Sequence, residues 1–471
     1  MVRGRDGAVA VPSYAQVLRA PVFLPVFVAS TLSTWGDYIA RITIAAVVFS
    51  WTGSALATAA TFAVSLVPSI LGRALLSPLC DRWPPRTVMV GTHLLRALLV
   101  LALIATVAGT ESLVLVLSLV FLLEFIGGPA VTAGQVLLTD LFPDRRLYAR
   151  AFGLQTLASQ INQAIGLALG GIIVGLIGSS RALVLDLVTF LLGAAVLAWI
   201  TPPKSVTESS ETPLNSLAGD LARGWGHIRT SRVLTMLLVL SLASALAIAA
   251  PEAVALPYGA QHSGSSSWGG LLMAAPILGG VVGVLLIARL PAERQFRLVM
   301  RLALLMPLPL LVTVFEPPLP VVWVAWFVSG AMQCYMLPLQ SAFTLLVAPA
   351  MRGRVFGLAG ALSIGVTGAC FLVAGWLSER TSPAASVGIC AVVTLGVLVL
   401  LAARWPREEV TSSIEATFEQ DAGADENQAG TQDRANGSGT GQRVTGSLPD
   451  HLEPGPDATS DPLGPRRSSG G

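Results

Sequence analysis

The chain of 471 residues is 53% hydrophobic and only 12% charged, with a mean hydropathy of +0.71, which excludes an ordinary soluble domain and indicates an integral membrane protein. A net charge of +2 gives no reason to expect nucleic acid as a partner. The four cysteines, Cys80, Cys334, Cys370 and Cys390, are scattered without a CxxC or Cys/His cluster, so neither a disulfide framework nor a metal site is indicated.

In chain order, the first twenty residues hold charges and prolines but no short apolar core followed by a cleavage site, so no cleaved signal peptide is read. A window of about 19 residues then predicts twelve helical spans, at 21–50, 54–79, 87–109, 112–139, 150–178, 181–201, 233–258, 268–289, 297–315, 319–347, 353–378 and 383–404. The polar stretch 202–232, with Pro203, a Ser/Thr/Glu cluster and an amphipathic piece around Leu217 to Ile228, divides the spans six and six. The expected organisation is a segment 1–20, a six-helix bundle 21–201, a central loop 202–232, a second bundle 233–404 and a tail 405–471. The tail is rich in Glu, Asp, Gly, Ser and Pro, has too little apolar surface to fold, and is expected to be disordered.

Arginine placement gives the orientation. The first twenty residues, alternate loops and the start of the tail collect nearly all the loop arginines, Arg82, Arg86, Arg150, Arg294, Arg354 and Arg407 among them, whereas the opposite loops hold only Arg181 and Arg380. That asymmetry places both termini and the central loop in the cytoplasm of a multi-pass cell-membrane protein. The halves also repeat. Arg150-Ala-Phe-Gly-Leu154 returns as Arg354-Val-Phe-Gly-Leu358, and with the same offset Ser159 falls on Ser363 and Gly171 on Gly375, the mark of two related bundles clamping a shared cavity.

After the second span comes Ser77-Pro-Leu-Cys-Asp81-Arg82-Trp-Pro-Pro-Arg86. Here the chain resembles the major facilitator superfamily, whose loop between helices two and three reads Gly-x-x-x-Asp-Arg-x-Gly-Arg-Arg. Asp81, Arg82 and Arg86 fit, whereas Ser77 and Pro84 replace glycines and Pro85 an arginine. A carboxylate beside the start of another helix is favoured by that helix's dipole and by nearby arginines. The resemblance makes the partner the eleventh helix, entered through Arg352 and Arg354, and Asp81 a conformational latch. Gly36-Asp37, Thr52-Gly53-Ser54, Pro129-Ala130 and Asp186 further resemble the bacterial enterobactin-exporter-like and macrolide-efflux-like branch. The resemblance implies an all-α membrane protein of twelve transmembrane helices in two pseudo-symmetric six-helix bundles, a monomer exporting amphipathic molecules by proton exchange without a cofactor.

Ionisable groups at membrane depth are costly unless paired or facing a wet cavity, and are functional candidates by default. Asp37 and Arg41 lie one turn apart in the first span, in the acid-before-base order that suits an i, i+4 pair, and Glu124 lies near the middle of the fourth. The fold implied by the resemblance lines its central cavity with helices one, four, seven and ten, where these charges would meet. The family's drug/proton antiporters often place an arginine where Glu124 stands, so that basic residue does not carry over. Glu252, following Pro251 in the seventh span, is a further proton-coupling candidate. Arg96 and Asp186 fall in helices that the fold places at the periphery and read as structural pairs, and His93 as a packed histidine. Candidate substrate contacts are Gln135, Asn162, Gln163, Gln333 and Gln340, each of which would equally satisfy a neighbouring helix. Glycines 166, 170, 171 and 175 in the fifth span and 279, 280 and 283 in the eighth suit close backbone approach, and the fold sets those two helices face to face across the halves.

Three functions remain open: a proton-driven exporter of a drug, antibiotic or siderophore, an uptake symporter on the same fold, and a transport-inactive scaffold or sensor acting through the acidic tail. An enzyme or a self-contained ATP-driven pump is not expected, for no phosphate loop, zinc-binding His pair or Gly-x-Ser-x-Gly elbow appears.

Overall fold

The computed structural model describes residues 14–76, 78–200, 216–264, 266–347 and 351–405. The predicted tail beyond Trp405 and most of the segment 1–20 lie outside the described residues, as does the 201–215 part of the central loop. The described residues are helical apart from short connections, as apolar stretches in a bilayer must be, since only a helix or a closed barrel satisfies every backbone polar group internally.

The first half contains α1 (Phe23–Thr52), α2 (Ala55–Leu76), α3 (Pro85–Gly109), α4 (Leu113–Leu141), α5 (Arg145–Ile177) and α6 (Ser179–Ile200). The second contains α7 (Arg232–Ser263), α8 (Ser266–Ile287), α9 (Glu293–Phe315), α10 (Leu319–Thr344), α11 (Arg352–Arg380) and α12 (Pro383–Ala403). Eleven of the described helices are long and apolar enough to cross a membrane. The remaining long helix, α1, runs for 30 residues, about 45 Å at a rise of about 1.5 Å per residue. It exceeds the roughly 30 Å of a bilayer core and carries Asp37 and Arg41. Its end is set by Gly53, which takes the left-handed conformation (φ +60°) and returns its N–H to Phe49 O. The amphipathic piece predicted around Leu217 to Ile228 is a helix, Ser216–Thr230, whose Ile228 is fully buried.

Helix breaks divide the two halves in character. In the second half α9 gives way to a 3-10 stretch over Pro309–Phe315, where Pro307 and Pro309 remove the N–H groups that would have continued the ladder. Likewise α10 breaks into a 3-10 turn at Gln333–Tyr335 just before Pro338, and α7 breaks at Ser244, whose hydroxyl donates back to Leu240 O at 3.0 Å. The two breaks meet, because the Ser244 and Tyr335 hydroxyls hydrogen-bond each other in a fully buried position. In the first half Pro129 leaves α4 continuous. The carbonyl it orphans, on Phe125, lies against Gly72 of α2, where any Cβ would collide with it.

The repeated glycines mark how the halves meet. A Cβ on Gly171 of α5 would stand 2.8 Å from the Cα of Gly270 in α8. A Cβ on Gly375 of α11 would stand 3.0 Å from the Cα of Leu56 in α2. Each repeated glycine therefore lies against a helix of the other half, and Phe62 of α2 stacks on Phe371 of α11 at 5.6 Å. The expectation for α8 needs correction: Gly279 and Gly283 face the backbone of α10 around Phe327 and Ala331, inside their own half. Gly166 and Gly170 similarly admit Tyr38 and Ile39 of α1. Glycine spacing signals close approach without saying which neighbour approaches.

Candidate functional site

Five charged side chains converge within the first half. Arg41 of α1 donates from Nη2 to Glu124 Oε1 of α4 at 2.8 Å. Arg96 of α3 sends a two-pronged fork to Asp37 of α1, Nη2 to Oδ1 at 3.0 Å and Nη1 to Oδ2 at 3.3 Å. This corrects the expected Asp37–Arg41 pair. The i, i+4 spacing puts both on one face of α1, but each finds its counter-ion on a neighbouring helix, and a planar guanidinium meets a carboxylate best through two parallel bonds. Arg96, read as peripheral, thus reaches inward to the first helix. Its guanidinium carbon also lies 4.5 Å from the centre of the Phe190 ring of α6, and that of Arg41 lies 5.2 Å from the Tyr38 ring, so each cation rests against an aromatic ring.

The fifth charge is Asp186 of α6, fully buried. Glycine at position 36 makes room for it: a Cβ there would stand 2.7 Å from Asp186 Oδ1. Asp186 was expected to be structurally paired, yet among the described residues neither carboxyl oxygen has a hydrogen-bond partner. His93, as expected, is packed, with Nδ1 at 2.8 Å from Met89 O and its ring edge-on to Phe190.

A small pocket, about 20 Å³ in volume, opens beside the pairs and is lined by Asp37, Arg41, Thr61, Ser65 and Glu124 among others. That is room for about one water molecule. From the second half, Glu252 of α7 comes within electrostatic range of Arg41 and of Tyr38. A larger cavity of about 400 Å³ lies between α1, α5 and α7, at their ends away from the arginine-rich side, with Phe49, Ser50, Val174 and Leu256 in its wall.

The predicted substrate contacts do not gather there. Asn162 is buried and its amide is committed to α1, accepting from Trp35 Nε1 at 3.1 Å and donating to Thr31 Oγ1 at 3.3 Å. It joins two helices, as such residues in membranes commonly do. Gln135 and Gln340 are exposed, Gln163 and Gln333 half-buried, and none of the four lines the 400 Å³ cavity. Of the gating motif, Arg82 is exposed on the short helix Pro78–Arg82. Arg86 donates to Ala198 O in the last turn of α6, where a cation suits the unpaired carbonyls. The side chains of Asp81, Arg352 and Arg354 lie outside the described residues. At the opposite end a contact not foreseen joins the halves: Glu379 of α11 accepts from Ser54 Oγ and, at 3.2 Å, from the Leu56 N–H, capping the first turn of α2.

Residues 26–363 match the family described as Major Facilitator Superfamily. The chain is 25% identical over 375 residues to the multidrug efflux pump Tap of Mycobacterium bovis, covering 77% of this chain and 88% of that protein. It is 22% identical over 285 residues to the uncharacterized MFS-type transporter YfmI of Bacillus subtilis, covering 59% and 69%. Among solved structures, the nucleoside transporter NupG aligns with a TM-score of 0.63 at 12% identity, over 81% of this chain and 98% of that one. The peptide transporter POT in complex with sulfate aligns with a TM-score of 0.62 at 14% identity, over 84% and 98%.

Proposed function

Since the chain belongs to the major facilitator superfamily and is a multi-pass membrane transporter, we propose that it exports hydrophobic or amphipathic small molecules in exchange for protons, by alternating access. The observation that carries this reading is the ionic cluster of Asp37, Arg41, Arg96 and Glu124, sunk in otherwise apolar helices and approached by Glu252 from the other half. Carboxylates at membrane depth, each held by a cation it can release, suit the binding and release of protons. The similarity to the pumps named for multidrug efflux supports the direction.

In this mechanism the Gly171–Gly270 and Gly375–Leu56 crossings let the halves rock, since bare backbones slide without side chains interlocking. Asp81 and the start of α11 close the arginine-rich end, and Glu379 with the start of α2 closes the other. The arginine-rich end, with both termini, faces the cytoplasm of the cell membrane, and the chain works as a monomer.

The test is transport in reconstituted vesicles under an imposed pH gradient, with ethidium as the probe. The parent is expected to accumulate ethidium against its gradient, and Asp37→Asn and Glu124→Gln to lose that accumulation while still equilibrating the dye. If both variants continue to concentrate ethidium, these carboxylates do not couple protons. Uptake would instead appear as accumulation of the opposite sign.

A further inference from the structure

Among the described residues Asp186 is the one member of the cluster that makes no ion pair. Its carboxyl group is fully buried and without a hydrogen-bond partner among the described residues. A bare carboxylate in such a place is strongly disfavoured, so the neutral acid is the form that fits this arrangement. Yet a cation is at hand. The Arg96 guanidinium rests on Phe190, one turn along α6 from Asp186, and Arg96 and Asp37 both act on Asp186 electrostatically. Gly36, immediately before Asp37, is the residue against which the Asp186 carboxyl lies.

The charged groups that act on Asp186 are Asp37 of α1, Arg96 of α3 and, beyond them, Glu124 of α4, and the helices packed against α6 also carry Arg41 and His93. Arg41 is held by Glu124 and His93 by Met89 O. Past Arg150, α5 has no ionisable residue. Arg96 is therefore the cation that Asp37 and Asp186 compete for.

We propose that Asp186 is a second proton-carrying carboxyl of this transporter, exchanging with Asp37 around Arg96. In the arrangement seen, Asp186 holds a proton and Asp37 is ionised in the Arg96 fork. In the exchanged arrangement the proton has left Asp186 and one has been taken up on Asp37, while the guanidinium, protonated throughout, moves its two hydrogen bonds from Asp37 to Asp186. One proton is lost and one gained, and the charge of the cluster is conserved. This deepens the proton-coupled reading above and rests on it: a proton taken up on α1 is relayed to α6 by a change of partner rather than carried by a single site.

The test is infrared spectroscopy of the full chain in lipid nanodiscs at neutral pH without substrate, reading the carbonyl band of protonated carboxyl groups. The parent is expected to show the band, and Asp186→Asn to lose the intensity of one carboxyl. In Asp37→Asn the fork is neutralised, Arg96 turns to Asp186, and that variant is also expected to lose one carboxyl, although Asp186 itself is intact. A band unchanged in Asp186→Asn would mean that Asp186 is already ionised, and a band that survives in Asp37→Asn would mean that its proton is static. Either result overturns the exchange. Should Asp186→Asn not fold, Asp37→Asn alone decides. Ethidium accumulation is measured separately, so that failed transport with the expected bands would sink the export reading, whereas intact transport with unchanged bands would sink the exchange.

Discussion

Truncating Glu124 to alanine should destabilise the chain far more than removing both members of its pair. The Arg41 and Glu124 side chains are 24% and 16% exposed, which puts the pair in the buried regime rather than among surface ion pairs. At 2.8 Å and an effective dielectric constant of about 20, the Coulomb attraction is about 6 kcal/mol. Much of that is offset by the cost of desolvating both groups. Glu124→Ala keeps the desolvation of Arg41 and discards its compensation, so the expected loss is about 3–5 kcal/mol. Asp37, one turn away, draws Arg41 toward it and keeps the loss near the lower figure. In the double variant Arg41→Met/Glu124→Leu no charge is stranded, and its stability should lie within about 1 kcal/mol of the parent. Equilibrium unfolding in mixed detergent micelles measures these differences, and the four free cysteines, two buried and two half-buried, give a thiol-reactive dye a direct signal of opening. A Glu124→Ala chain as stable as the parent, or a double variant as unstable as the sum of the two single ones, would refute this account of the pair.

Gly171→Ile should fold but fail to cycle: a side chain against the Gly270 backbone forces the halves apart, so ethidium transport falls at least tenfold, and near-normal transport would show that α5 and α8 do not need this approach. Asn162→Leu should cost about 1–3 kcal/mol of stability, because the Trp35 and Thr31 groups lose their buried partner, while the apparent affinity for ethidium stays within twofold; a selective loss of affinity would return Asn162 to the substrate path. Glu379→Ala removes the cap from the start of α2 and should raise the rate at which a cysteine placed at Ser50, in the wall of the larger cavity, is alkylated by a membrane-impermeant reagent. An unchanged rate would mean that the Ser54–Glu379 contact does not hold the halves together.

The helical plan was largely legible in the sequence because a bilayer enforces it. The predicted 21–50 and 54–79 compare with Phe23–Thr52 and Ala55–Leu76, and the alternation of arginines kept the count in step. Interruptions inside spans were harder to read. Pro338 breaks α10 and Pro129 leaves α4 whole, because the outcome depends on whether a neighbour such as Gly72 accommodates the orphaned carbonyl. The site was legible in its members and not in its pairings. Asp37, Arg41 and Glu124 stood out as charges in apolar runs, but spacing along one helix cannot show that Arg96, on another, offers Asp37 a better fork. A signal for Arg96 and Asp186 was present in the charge inventory. Every cation sunk in an apolar span needs an anion, and the first six spans hold three carboxylates, Asp37, Glu124 and Asp186, which with Arg41 and Arg96 make up the whole cluster.

The breaks of α7, α9 and α10, the last two made by prolines, and the ionic web of α1, α3, α4 and α6 sit in different halves of a chain that began as a repeat. Duplication supplied two equal bundles, and they have since specialised, one toward chemistry and the other toward shape. Variation can therefore remodel the bend of the second bundle, and with it the space offered to a passenger, by moving a proline near residue 338. Such a change leaves the proton equipment of the first bundle untouched, so the range of compounds carried and the energy source are free to evolve separately.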